Sequence, residues 1–150
     1  MFENKNTLAH RLGKTTHVSP LRIKLKMMAE KYPLPDARCF EDWLVEVANA
    51  RGARIVFRPN SAFGKFVPPD EELVSNEELI TGICQLQCLD FPHMLRLAAQ
   101  LISRGAFEFR RLKRLAEMER TESVLLELSN QALKVDPEHP SWTSIRRAFR

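Results

Sequence analysis

Phe40, Trp43, Leu44, Val47 and Ala48 fall at i, i+3, i+4, i+7 and i+8, a spacing that gathers all five on one side of an α-helix and scatters them over both faces of a strand. Gly52 closes the segment as a residue able to take the left-handed conformation just past a helix end. A helix with one apolar stripe must bury that stripe against another element, so the pattern commits the chain to helix-on-helix packing.

The same period recurs on both sides. Ser19 followed by Pro20 reads as an N-cap and first helical position, and Leu21, Leu25, Met28, Ala29 and Tyr32 then continue a stripe that Pro33 and Pro35 stop, with Arg22 and Lys26 outside it. Ser75 with Glu78 three positions on forms a capping box ahead of Leu79, Ile80, Ile83 and Leu86. Pro92 near a first turn opens a helix with Leu95, Ala98, Ala99 and Ile102 that stops near Gly105. From Ala106 to Val135 the pattern runs nearly unbroken, with Arg120-Thr121 as a candidate interruption, and after Pro137 and Pro140 a last short helix carries Trp142, Ile145 and Phe149. The period changes to two in Arg54-Ile55-Val56-Phe57-Arg58, and a second extended run, Phe63 to Val67, follows Pro59-Asn60-Ser61.

The expected fold is therefore mainly α, a compact domain of about six helices with a minor two-stranded β-hairpin, its core drawn from Trp43, Leu44, Val47, Leu95, Leu112, Leu128 and Trp142. Residues 1–18 lack periodicity and read as a flexible or partner-ordered arm, and residues 19–150 as a single helical domain with a candidate hinge near 68–74, at the acidic connector Pro68-Pro69-Asp70-Glu71-Glu72. No stretch approaches the roughly 18 apolar residues a membrane helix requires. With no secretory leader in residues 1–14 and three cysteines in apolar settings, the expected compartment is the cytoplasm.

Site chemistry is sparse. Cys84 and Cys88 stand four apart with His93 five further on, but no fourth ligand or close cysteine pair completes a zinc site, and buried thiols on a helix explain them. His10, His17, His93 and His139 match no catalytic spacing, and the acids Asp70, Glu71, Glu72, Glu77 and Glu78 straddle a loop and a helix start, where negative charge favours the dipole. The five glycines, Gly13, Gly52, Gly64, Gly82 and Gly105, are isolated, so no phosphate loop is present. The expectation is a protein without catalysis, metal or cofactor.

Charge is distributed unevenly: residues 1–28 sum to +5, residues 29–103 to −4 and residues 104–150 to +3, within a net +4. Its densest positive segment is Arg110, Arg111, Lys113 and Arg114, which spread over the side of a helix opposite Phe109, Leu112, Leu115 and Ala116. With the preceding helix and the Ser103-Arg104-Gly105 turn, this segment superficially resembles a helix-turn-helix motif, but positions that such a motif buries hold Gln100, Arg104, Arg111 and Arg114. Residues 131–140 likewise resemble the junction of tetratricopeptide repeats, with no second copy about 34 residues upstream, so shared helix-stop chemistry is the reading.

Two binding functions follow. The first is an intracellular protein-interaction module or accessory subunit, with a protein partner or a second copy of itself, because the arm and the acidic connector suit segments that order on a partner. The second is nucleic-acid binding by Arg110, Arg111, Lys113 and Arg114, assisted by Arg146, Arg147, Arg150 and the basic arm.

Overall fold

The structure is a computed structural model that describes residues 19–53, 66–85 and 92–150. These form seven helices: α1 (Pro20–Lys31), α2 (Phe40–Ala50), α3 (Asn76–Ile83), α4 (Pro92–Ser103), α5 (Phe109–Glu119), α6 (Glu122–Val135) and α7 (Pro140–Phe149). The arm at 1–18 and most of the expected hairpin, residues 54–65, lie outside the described residues.

Two expectations are corrected. The described end of the second extended run, Phe66 and Val67, is irregular backbone, and no strand occurs among the described residues; Phe66 instead packs against the helical core, ahead of Pro68 and Pro69, which have no N–H to donate to a ladder. The helix count rises from six to seven because the interruption near Arg120-Thr121 is real. Arg120 takes φ 61, the left-handed conformation, and the Thr121 N–H turns back to the Ala116 carbonyl at 3.0 Å, ending α5 before Thr121 starts α6.

Local chemistry explains the remaining boundaries. Ser19 accepts the Arg22 N–H at 2.9 Å over the first turn of α1, whose C-cap residue Tyr32 presents its carbonyl to the Trp43 indole N–H at 2.8 Å. One residue thereby both ends α1 and pins α2 beside it. At the end of α2, Gly52 has φ +98, and the Ala53 N–H returns to the Ala48 carbonyl at 3.1 Å, the Schellman arrangement. At α3 the capping box closes as expected: Ser75 Oγ accepts the Glu78 N–H at 3.1 Å and Glu78 Oε1 accepts the Ser75 N–H at 3.0 Å.

α3 is the hub, packing against α1, α2, α4 and α5. Its Leu79, Ile80 and Ile83 are fully buried, together with Trp43, Leu44 and Val47 of α2 and Leu112 and Ala116 of α5. At eight residues it is too short to persist alone in water, so its helicity derives from that packing. α6 and α7 form a helical hairpin across the turn at 136–139, and α7 also leans on α4, where Trp142 Nε1 donates to Ser103 Oγ at 2.8 Å and His139 Nε2 lies 2.9 Å from the Ser103 carbonyl oxygen.

The expected core needs two adjustments. Leu95 and Leu128 are only partly buried, whereas Met94, Leu97, Ala98, Leu101 and Ile102 form the inner face of α4, and Leu125, Ser129 and Leu133 that of α6. In an almost continuously apolar segment the phase of the stripe is fixed by its polar residues, and His93, Arg96, Gln100 and Ser103 mark the exposed side of α4.

Candidate functional site

Two of the four cations on the basic face of α5 are paired within the molecule. Phe109, Leu112 and Ala116 turn inward, which leaves Arg110, Arg111 and Arg114 exposed and Lys113 half-buried. The Arg111 guanidinium sits 3.6 Å from the buried carboxylate of Glu77, whose second oxygen accepts the Glu108 N–H at 2.6 Å and so anchors the start of α5 to α3. Lys113 pairs with Glu117 at 3.1 Å, one turn along the helix. Only Arg110 and Arg114 of this cluster make no ion pair among the described residues.

α7 presents a different arrangement. Trp142 and Ile145 face the core, and Thr143, Arg146, Arg147 and Arg150 fall at i, i+3, i+4 and i+7 along an adjacent stripe. With Leu133 from α6 and Pro137 from the turn, that stripe lines an open groove of about 240 Å³. The Thr143 hydroxyl donates to the His139 carbonyl at 2.8 Å, which holds this end of the groove in shape. None of the three arginines has a carboxylate partner among the described residues, although Asp136 and Glu138 lie exposed in the adjoining turn. The last turn of a helix favours cations, which stabilises guanidinium groups there without discharging them. Of the seven basic residues singled out in the sequence, the structure brings these three together in one groove; the α5 cluster, seated on α3, contributes nothing to its lining.

The other candidates resolve into structural roles. Asp70 accepts the N–H groups of Glu72 and Leu73 at 3.0 and 3.1 Å, Glu71 accepts from Asn76 at 3.4 Å, Glu77 serves α5, and Glu78 serves the cap and Lys24 at 2.7 Å, so the acidic cluster is divided among four tasks. Burial pushes the Glu78 carboxyl up, yet the hydrogen bonds from Lys24 and Ser75 with the Lys24 charge outweigh it and hold the group below its ordinary value. Cys84 is fully buried, His93 is exposed, and Cys88, His10 and His17 lie outside the described residues. No group of three or more potential metal ligands converges among the described residues. No helix among them is long and apolar enough to cross a membrane.

Two polar features escaped the sequence reading. Arg51 fastens the connector, donating to Asn76 Oδ1 at 3.0 Å and to the Pro69 carbonyl at 2.9 Å; burial draws its pKa down, against the opposing charges of Glu71 and Asp70. Glu119, buried at the end of α5, joins Ser19 and Gln85 in a polar knot. Its sequence signal is position, since Glu119 falls on the same stripe as Leu112 and Ala116, where a solvated acid has no place.

The chain matches no protein-family model, no curated protein and no solved structure.

Proposed function

We propose that the protein is a non-catalytic interaction module, an accessory subunit working in the cytoplasm, which engages a protein partner at the α6–α7 end. The groove carries this reading: Arg146, Arg147 and Arg150 crowd beside Leu133 and Pro137 and make no ion pair with a carboxylate among the described residues. Val135, at the last turn of the same α6, is 87% exposed, so an apolar side chain also stands open to solvent at this end of the molecule. Arginine beside apolar side chains is a favoured composition for protein interfaces. A photo-crosslinking residue placed at Val135, with Lys31 at the end of α1 as the control position, tests it in cells. One recurrent protein adduct from position 135, or a dimer of the chain itself, supports the reading; adducts equally absent from both positions refute it.

A second reading has its own observation. Arg110 and Arg114 are exposed and unpaired among the described residues, and they could join the α7 arginines on a nucleic-acid backbone. Two cations on α5 are a small platform for phosphate contacts, because Arg111 and Lys113 already hold carboxylates. Titration of duplex DNA and of RNA at low and physiological salt, repeated with Arg110→Ala and Arg114→Ala combined, decides it: binding unchanged by the double substitution removes this surface from consideration.

A further inference from the structure

We infer that the α6–α7 groove receives an acidic segment of a partner protein, its carboxylates held by Arg146, Arg147 and Arg150 and an apolar side chain resting on Leu133 and Pro137; this rests on the interaction-module reading above. Three properties of the groove select that occupant.

The first is charge. Three guanidinium groups line one cavity, and no ion pair with them occurs among the described residues. Guanidinium is planar, permanently charged and weakly hydrated, and its fork of donors matches a carboxylate in two-point contact. Arg146 is half-buried, so part of the cost of desolvating it is met before any partner arrives, whereas Arg147 and Arg150 are exposed and able to reorient onto it.

The second is length. Arg146 and Arg150 are one turn apart, so along the α7 axis the cations span about 6 Å. That extent matches two or three acidic side chains on a short peptide. On a nucleic acid the same trio neutralises at most about three phosphates, giving a logarithmic salt slope of about −2.7 and weak attachment.

The third is composition. Leu133 and Pro137 supply an apolar floor beside the charges, and about 240 Å³ holds side chains of a peptide. A duplex backbone offers that floor only the edges of its sugars, whereas a segment alternating acidic and apolar residues fills both parts. Thr143, committed to the His139 carbonyl through its proton, retains only acceptor capacity toward an occupant, which directs the ligand's anions toward the arginine end.

The experiment is fluorescence anisotropy on the full chain with labelled twelve-residue peptides of random Glu, Asp, Leu and Phe, their amide counterparts with Gln and Asn, and duplex and single-stranded DNA of similar charge. The acidic pool is expected to bind about tenfold or more tighter than the amide pool, given the strength of charge-assisted contacts. Combined Arg146→Gln, Arg147→Gln and Arg150→Gln is expected to remove that preference, while Arg110→Gln with Arg114→Gln leaves it within about twofold, since additivity holds for separated sites. Circular dichroism and thermal melting confirm that each variant folds; should the triple variant unfold, the single Arg147→Gln, at an exposed position, serves with an expected loss of about threefold. Equal binding of acidic and amide pools, no binding of the acidic pool up to about 1 mM, or DNA binding that exceeds peptide binding and is lost in the triple variant each overturns the inference. A recurrent crosslinked partner at Val135 together with any of these results leaves the interaction module standing and removes only its acidic ligand.

Discussion

Glu119 accepts a hydrogen bond from the Ser19 hydroxyl at 2.5 Å, joining positions 100 residues apart at the meeting of α5 and α1. Gln85 Nε2 donates to both, at 3.0 Å to Glu119 and 2.6 Å to Ser19, and the second Glu119 oxygen accepts the Leu21 N–H at 3.3 Å. Replacing Glu119 by Ala strips several donors of their acceptor inside the protein, which costs about 2–4 kcal/mol and lowers Tm by about 5–15 °C for a chain of this size. Glu119→Gln keeps one acceptor oxygen and is expected to lose less than half as much. Calorimetry checks both, and an alanine variant within about 0.5 kcal/mol of the parent would mean that water replaces the knot without loss.

Gly52 holds a left-handed conformation, and a Cβ there would collide with the Arg104 guanidinium, which donates to the Gly52 carbonyl. Gly105 is left-handed too, at φ +70, but has open space around it. Alanine at 105 therefore reports backbone strain alone, about 1 kcal/mol, while alanine at 52 also makes the exposed Arg104 guanidinium swing aside and give up its bond to the Gly52 carbonyl, about 0.5–1 kcal/mol more. Adding Arg104→Ala to Gly52→Ala should recover part of the difference in urea melts. Equal costs at the two glycines contradict the collision.

Glu78 links pH to stability. Its folded carboxyl titrates below the unfolded one, so the stabilisation it provides is complete above the unfolded value of about 4.3 and drains as pH falls through the lowered folded value. The parent chain should exceed Glu78→Gln in stability at pH 7, and the gap should narrow by pH 3. Because glutamine still completes the capping box, what disappears is the Lys24 contribution, and a gap independent of pH rules this assignment out.

Trp142 is the chief tie between the α6–α7 hairpin and α4. Trp142→Phe removes the indole donor to Ser103 and some packing volume, a loss of about 1–3 kcal/mol. Hydrogen exchange should quicken in α6 and α7 while the amides of α2 and α3 keep their protection. Uniform acceleration across the molecule would indicate a single cooperative unit in which the hairpin does not open separately.

Helix existence was legible in the sequence wherever caps and period agreed, as at Ser19-Pro20 and at Ser75 with Glu78. The division at Arg120 was harder to read because arginine in a left-handed conformation carries no local signature, unlike the glycines at 52 and 105. Phase failed in α4, where Leu95 took the place of Met94 because apolar residues crowd both sides of the stripe and the polar residues define it better. Of the site, the sequence supplied the charges but not their grouping. In the sequence Arg146, Arg147 and Arg150 read as assistants to the α5 cluster, yet α5 pairs two of its cations with Glu77 and Glu117, and only tertiary packing sets Leu133 and Pro137 beside α7.

The Ser19–Glu119 junction also bears on how the chain emerges during synthesis. At about 5–20 residues per second, α1 leaves the ribosome roughly 5–20 s before its partner carboxylate does. By then α1 can already pack on α2 and α3, and Gln85 can already meet Ser19, so what arrives last is the carboxylate that joins them into one knot. A ribosome-bound chain stalled before residue 119 should leave the start of α1, at Ser19 to Leu21, more open to proteases than one released beyond it.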